Sequence, residues 1–200
     1  MTPNSQLQTP NSQQRKQFPQ HIAIIMDGNR RWAELRGLPR FIGHQYGANS
    51  VREIVRACGE LGVKVLTLYA FSWENWVRTK KEINILMALL AEYLVQEIPE
   101  LNKNNVRLKY IGRVRQLPVK IQRLLNRAVE QTQTNSGLIL NLALSYGGRQ
   151  ELVDTVNRLL RKNPKRVTER DIARNLDTAG LPDPDIVIRT SGESRVSNFL

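Results

Sequence analysis

The chain is poor in cysteine: Cys58 is the only one in 200 residues. An internal disulfide is therefore excluded. With His21 and His44 the only histidines, a structural zinc site is all but excluded as well. Acidic residues are scarce, 18 Asp and Glu against 30 Lys and Arg, which leaves a formal charge of +12. Long apolar runs are missing too. The longest, Ile85–Ala91, has seven residues, far short of the ~20 that a membrane-crossing helix needs. No apolar leader opens the N-terminus, which argues against secretion and for a reducing, cytoplasmic setting.

What is present suits one compact domain. A chain of this length buries about 70% of its unfolded surface and needs no disulfide or metal staple. Residues 1–20 are polar and repeat Thr-Pro-Asn-Ser-Gln at Thr2–Gln6 and Thr9–Gln13. Such a segment has too little apolar surface to offset its ordering entropy, so it reads as a disordered arm. From His21 onward the pattern changes. Ile22–Met26 is a short apolar run stopped by Asp27-Gly28-Asn29, as for a strand buried on both faces. Helix follows at about 47–61, where Val51, Ile54, Val55, Cys58 and Leu61 form one stripe. Strand is expected at 63–71, helix at 81–101, strand at 106–111, helix at 118–133, strand at 138–144, helices at 150–161 and 168–176, and strand at 185–189. Alternating strands and helices specify an α/β fold with a central, mostly parallel β-sheet flanked by helices on both faces.

In open parallel sheets, ligands bind at the carboxyl ends of the strands. Here those ends are Asp27-Gly28-Asn29-Arg30-Arg31-Trp32, Phe71-Ser72-Trp73-Glu74-Asn75-Trp76-Val77-Arg78, Ser145-Tyr146-Gly147-Gly148-Arg149 and Arg189-Thr190-Ser191-Gly192-Glu193. Each carries glycine or small polar residues with arginine close by. Glycine lets backbone N–H groups approach a phosphate, and arginine forks match phosphate oxygens in pairs. Taken singly, each feature has an ordinary explanation as a turn, rim packing or solvated charge. Their convergence on one rim points to one or two diphosphate groups, for which Arg30, Arg31, Arg40, Arg78, Arg189 and Arg195 supply the cations. Asp27 beside a diphosphate is a natural Mg²⁺ ligand. No Gly-x-x-x-x-Gly-Lys-Ser/Thr loop, no Gly-x-Gly-x-x-Gly after the first strand and no Asp-Asp pair occurs. These absences discount P-loop hydrolases, dinucleotide-binding folds and the aspartate-rich, all-helical diphosphate enzymes.

At these residues the sequence resembles the cis-prenyltransferases, specifically the undecaprenyl diphosphate synthase family. The matching segments are His21–Ala33, Gly43-His-Gln-Tyr-Gly47, Leu68–Trp76, Asn141–Arg149, Asp185–Glu193 and Arg195-x-Ser-Asn-Phe199. The resemblance implies condensation of isopentenyl diphosphate with an allylic diphosphate, usually farnesyl diphosphate. New double bonds are cis, diphosphate is released, and Mg²⁺ is required. It implies a catalytic, Mg²⁺-linked Asp27, with Gly28, Asn29, Arg30, Arg31, Arg40 and His44 around the allylic diphosphate and Trp32 on the allylic substrate. Ser72, Trp73, Glu74, Asn75 and Trp76 match a mobile segment. Asn75 there is assigned to the deprotonation step, and as an amide it is given a positioning role. Arg78, Arg189, Arg195, Val196 and Ser197 match the isopentenyl diphosphate site.

A growing chain also needs an apolar tunnel. Ile83, Ile85, Leu86, Met87, Leu89, Leu90, Tyr93, Leu94 and Ile98 exceed a single helical stripe and, with Leu138, Leu140 and Leu142, are candidates to line it, with small Ala70 leaving room for product. The resemblance further implies a homodimer for the complete family protein. Family members continue past residue 200 with another strand, a glutamate that helps bind Mg²⁺ and dimer-forming helices, so residues 21–200 read as a catalytic domain incomplete at its C-terminus. Contact with a membrane is expected to be peripheral, because the product is apolar and no anchor is encoded. The alternative is a noncatalytic polyanion-binding module for nucleic acid or lipid headgroups. Its support is the +12 charge; no nucleic-acid motif accompanies it, and no nucleic-acid partner is expected.

Overall fold

A computed structural model describes residues 18–200. The expected polar arm, apart from Phe18, Pro19 and Gln20, lies outside the described residues. Gln20 is already tied in. Its N–H donates to Asp185 (2.7 Å), and its carbonyl accepts from Lys64 and Val65.

The strands are β1 (His21–Ile25), β2 (Val65–Ser72), β3 (Arg107–Ile111), β4 (Ile139–Tyr146) and β5 (Ile186–Arg189). They form one parallel sheet in the order β3-β4-β2-β1-β5. The helices are α1 (Asn29–Glu34), α2 (Arg40–Glu60), α3 (Lys80–Gln96), α4 (Ile98–Lys103), α5 (Val119–Thr132), α6 (Gly148–Leu160) and α7 (Glu169–Asn175). Short 3₁₀ turns occupy Trp73–Val77 and Val114–Gln116.

Successive strand side chains point to opposite faces, and the two faces differ. On one, Ile24, Leu66, Leu68, Leu108, Leu140 and Leu142 pack against Val55 and Cys58 of α2, Met87 and Leu94 of α3, Leu101 of α4 and Leu125 of α5. On the other, Ala23, Ile25, Tyr69, Ala143 and Tyr146 meet Phe199. Tyr69 and Phe199 stack with centroids 4.5 Å apart. This second face also buries polar groups, paired except for the Asn141 Oδ1, which has no partner. His21 shares a 2.7 Å hydrogen bond with Thr67, which in turn accepts from Asn141. Edge strand β5 keeps Ile186, Val187 and Ile188 exposed.

Two boundaries differ from the sequence expectation. Helix α2 starts at Arg40 rather than near 47. Its first turns carry no apolar stripe because they pack through glycine: a Cβ on Gly43 would fall 1.9 Å from the Asn29 carbonyl oxygen. The single helix expected at 81–101 is broken at Glu97 into α3 and α4. Pro99 has no N–H to continue the ladder, and the buried Glu97 carboxylate is held by Arg52. The short helix α1 is also unanticipated.

Candidate active site

The register brings the chemistry together. Ile25 of β1 lies opposite Tyr69 of β2 and Arg189 of β5, so the turn after β1 emerges beside the end of β5. Asp27 sits there. Its Oδ2 accepts from Arg189 at 2.7 Å and its Oδ1 from the Gly28 N–H at 2.7 Å. Its own N–H donates to Thr190 Oγ1 at 2.8 Å. Gly28 is required at this turn. Its φ is +90°, and a Cβ would lie 2.4 Å from Ser191 Cβ. Partial burial pushes the Asp27 carboxyl up. The Arg189 and Gly28 hydrogen bonds, with the charges of Arg189 and Arg31, outweigh that and hold it below the usual carboxylate range.

Arg189 is the hub. Beyond Asp27 it donates to Ser197 Oγ at 2.6 Å and to the Arg195 carbonyl. Its Nε is buried and has no partner. The turn that presents these acceptors is strained, with Ser197 and Asn198 both at positive φ. Asn198 fixes it. Its side chain accepts from the Arg149 N–H and donates to Glu74 and Gln150, and its carbonyl accepts from the Gly148 N–H. The last residues described are thereby sewn to the start of α6 and to the end of β2.

A cavity of about 570 Å³ opens at this point. Its mouth is polar: Asp27, Asn29, His44, Ser72, Glu74, Asn75, Arg78, Arg189, Ser197 and Asn198 line it. Its depth is apolar: Val51, Leu68, Ala70, Leu86, Met87, Leu89, Leu90, Tyr93, Leu142 and Leu144. A register shift in β2 between Tyr69 and Ser72 bends the strand end where Ala70 faces this space. Of the proposed tunnel residues, Leu94, Leu138 and Leu140 are core instead, and Ile83, Ile85 and Ile98 do not reach the cavity. Burial, and then the nearby Arg78 charge, lower the His44 pKa, so its imidazole is neutral at pH 7.

A chain with a cationic rim leading into an apolar pocket invites comparison with enzymes of amphiphilic diphosphates. Residues 25–200 match the family described as "Putative undecaprenyl diphosphate synthase". The isoprenyl transferase of Clostridium tetani is 50% identical over 189 residues, covering 92% of this chain and 74% of that protein. The chain belongs to the isoprenyl transferase family. The isoprenyl transferase of Brucella abortus is likewise 50% identical, over 91% of this chain and 74% of its own length. Among solved structures, lavandulyl diphosphate synthase from Lavandula x intermedia, in complex with dimethylallyl diphosphate, superposes with a TM-score of 0.86. It shares 34% identity over 90% of this chain and 81% of its own. A probable undecaprenyl diphosphate synthase from Campylobacter jejuni gives 0.76 at 33% identity, over 90% and 78%. The protein is thus a prenyltransferase, and isoprenoid diphosphates are its substrate class. No helix of the described residues is long and apolar enough to cross a membrane.

The other candidate residues of the enzyme, Asn75 apart, stand around the mouth without lining the cavity. Arg31 reaches Ser191 and Glu193 of the β5 turn. Arg30 and Arg40 both pair with Glu34, and Arg40 also with Glu82. Trp32 lies between Tyr46 (centroids 4.8 Å) and the Arg36 guanidinium (4.3 Å). Arg195 pairs with Glu193, and Val196 is exposed. Trp73 and Trp76 turn away from the cavity and act as braces. Trp73 lies under Arg113, which makes a two-pronged bond to Asp154 at 2.7 and 2.9 Å. Trp76 donates to Ser145 Oγ and meets Phe71 edge-on. Asn75 accepts the Ser72 N–H at 3.0 Å, closing the turn. Thr190 and Asn198 are functional neighbours that the residue-by-residue assignment omits. The available signal for both is their place inside the matched segments.

Among the described residues no group of three or more His, Cys, Asp or Glu side chains is placed to hold a metal ion. Asp27 alone offers a carboxylate at the mouth beside Arg189, with Glu74 on the same cavity held by Asn198. This donor set fits Mg²⁺ as an ion shared with phosphate oxygens, the usual way that cation is bound, and does not fit a dedicated protein cage.

Proposed function

We propose that the enzyme elongates a prenyl chain, condensing isopentenyl diphosphate with an allylic diphosphate, farnesyl diphosphate being the expected primer, to give a long-chain polyprenyl diphosphate with cis double bonds. The observation that carries this reading is the amphiphilic cavity: the Asp27–Arg189 pair, 2.7 Å apart, stands at a polar mouth whose depth is apolar but for the Tyr93 hydroxyl. A diphosphate head and prenyl tail match that gradient. The unpartnered Nε of Arg189 is a donor waiting for an anionic oxygen. The dimethylallyl diphosphate in the similar lavandulyl enzyme supports an allylic diphosphate here.

In each turn the allylic C1–O bond breaks, and its electron pair leaves with the diphosphate. The terminal alkene carbon of isopentenyl diphosphate bonds to C1, and a proton is lost from its C2. Charge grows on the departing diphosphate, so fixed donors aimed at it lower the barrier. Asp27, Gly28, Asn29, Arg30, Arg31, Arg40 and His44 are assigned to the allylic head and Trp32 to its flank. Arg78, Arg189, Arg195, Val196 and Ser197 are assigned to isopentenyl diphosphate. Mg²⁺ held by Asp27 would neutralise charge on the diphosphate oxygens. Ser72, Glu74 and Asn75 are assigned to the wall beside both substrates, braced from behind by Trp73 and Trp76, and Asn75 positions the carbon that loses its proton. A homodimer remains part of this reading; exposed Leu152, Val153, Val156 and Leu160 on α6 leave apolar surface for a second copy. Residues 21–200 are assigned as the catalytic unit, and the cytoplasm as its compartment.

Incubation with farnesyl diphosphate, radiolabelled isopentenyl diphosphate and Mg²⁺ tests it. Labelled, butanol-extractable product that disappears with EDTA is expected. No elongation of any allylic primer, together with tight, salt-sensitive nucleic-acid binding, would favour the polyanion module.

A further inference from the structure

The wall that carries Ser72 and Asn75 is a weak element on its own. It is built on the 3₁₀ turn Trp73–Val77, a helix type with poor hydrogen-bond geometry that seldom runs beyond three or four residues. Its pose is therefore set by what its side chains hold. With three residues per turn, Trp73 and Trp76 share one side. Ser72 and Asn75, joined by their 3.0 Å hydrogen bond, share another, and both line the cavity. Fixing the two indoles fixes Ser72 and Asn75.

Both indoles are held from one place, the turn that follows β3. The Arg113 guanidinium lies over Trp73, 4.8 Å from the ring centroid, and is itself clamped by the two-pronged bond to Asp154 of α6. The Trp76 indole N–H donates to Ser145 Oγ, and that hydroxyl donates to Gln116 Oε1, both at 2.8 Å. Ser145 aims its hydroxyl from φ +48° inside β4, a left-handed conformation that a serine keeps only where its surroundings impose it. The turn has a firm base. The Arg113 N–H donates to the Ser145 carbonyl at 3.2 Å, and a Cβ on Gly112, at φ +103°, would fall 2.3 Å from the Leu144 carbonyl oxygen. Neither Arg113 nor Gln116 lines the cavity.

We propose that Arg113 and Gln116 are positioning residues for prenyl transfer: Arg113 through Trp73, and Gln116 through Ser145 and Trp76, hold Ser72 and Asn75 in place beside the two substrates. The inference rests on the prenyl-elongation reading. Neither residue touches a substrate, so its effect falls on orientation. The diphosphate heads are assigned to residues on other elements, so affinity changes little. Alignment of the reacting carbons suffers instead, and a misplacement of about 1 Å there is worth up to about a hundredfold in rate.

Arg113→Leu removes the guanidinium plate, and Gln116→Met removes the acceptor at similar length. Each is expected to lower kcat for incorporation of labelled isopentenyl diphosphate about tenfold, with KM for both substrates changed less than about threefold. Arg113→Lys keeps a charge for Asp154 but not the flat fork over the indole, and its kcat should fall between. Trp73 and Trp76 are two of the three tryptophans, so in a Trp32→Phe background fluorescence reports the two braces alone. Arg113→Leu should open Trp73 to acrylamide quenching, and Arg113→Lys should reverse this in part. A merely structural role would lower Tm and the folded fraction while kcat per folded molecule stayed the same. That result overturns the proposal, and so does quenching indifferent to Arg113→Leu. Should Arg113→Leu fail to fold, Asp154→Asn, at a partly exposed carboxylate, loosens the clamp from outside. It should lower kcat about threefold, and an unchanged kcat overturns the proposal equally. Elongation by the parent with kcat unchanged in these variants removes this role alone. Absence of elongation by the parent removes the elongation reading, and this role with it.

Discussion

Asp27→Asn isolates the charge on which the reading turns. The amide is nearly isosteric, and its oxygen still accepts from the Gly28 N–H seen at 2.7 Å. What disappears is the ionic half of the 2.7 Å contact with Arg189 and the anionic donor for a cation shared with diphosphate. The folding cost is small. Asp27 is partly exposed, and Arg189 keeps Ser197 and the Arg195 carbonyl. About 1 kcal/mol is expected, or a fall in Tm of about 2–4 °C for a chain of this size. The catalytic cost is larger, because the group acts where charge develops. Loss of one such stabilising group costs about 10²–10³ in kcat, or ~2.7–4 kcal/mol. The assay is initial-rate incorporation of labelled isopentenyl diphosphate at saturating primer, with melting followed by circular dichroism. A kcat within tenfold of the parent in a folded variant would refute the argument. A collapse in Tm by more than ten degrees would show that the pair is structural instead.

Gly43→Ala should destabilise sharply, because its Cβ would fall 1.9 Å from a backbone oxygen of α1 that cannot swing aside. About 2–3 kcal/mol, or roughly 4–12 °C in thermal melts, is expected, and an unchanged Tm contradicts the glycine-packed α1–α2 contact. His21 and His44 are the only histidines, so NMR titration resolves both. His44 should titrate below its ordinary value, for burial and the Arg78 charge, and rise when inorganic diphosphate offsets that charge. A folded-state pKa below the unfolded ~6.5 means the unfolded chain takes the proton first, so stability falls as pH drops through about 6.5. A His44 pKa unmoved by diphosphate would place the anion elsewhere. Ala70→Leu fills the bend of β2 facing the cavity depth, and product chains read by thin-layer chromatography should shorten; unchanged lengths would take the growing chain out of this cavity.

The parallel sheet was legible because its strands are loud. Ile22–Met26, stopped by Asp-Gly-Asn, and the β-former-rich stretch from Val65 to Phe71 suit buried strands, and the carboxyl-end rule then selects the rim holding Asp27, Asn75, Arg78 and Arg189. The start of α2 was silent, since Arg40–Gly47 packs by absence of side chain at Gly43 and not by an apolar stripe. The break at Glu97 depends on a tertiary partner, Arg52, that is 45 residues away in sequence. The family resemblance likewise counts Trp73 and Trp76 among the substrate-binding residues. Only the fold shows Trp73 spent on Arg113 and Trp76 on Ser145. Asn198 carries no charge and sits in no periodic element, so its four hydrogen bonds could not be anticipated from pattern.

A crystal structure of the enzyme with a non-reactive thiolo analogue of farnesyl diphosphate tests the whole account. The diphosphate is predicted to lie at the mouth, within hydrogen-bonding reach of the Gly28 turn and beside Asp27, with the farnesyl tail running past Ala70 toward Leu90 and Leu144. A tail outside that cavity, or a diphosphate bound on the far side of the sheet from Asp27, would contradict it.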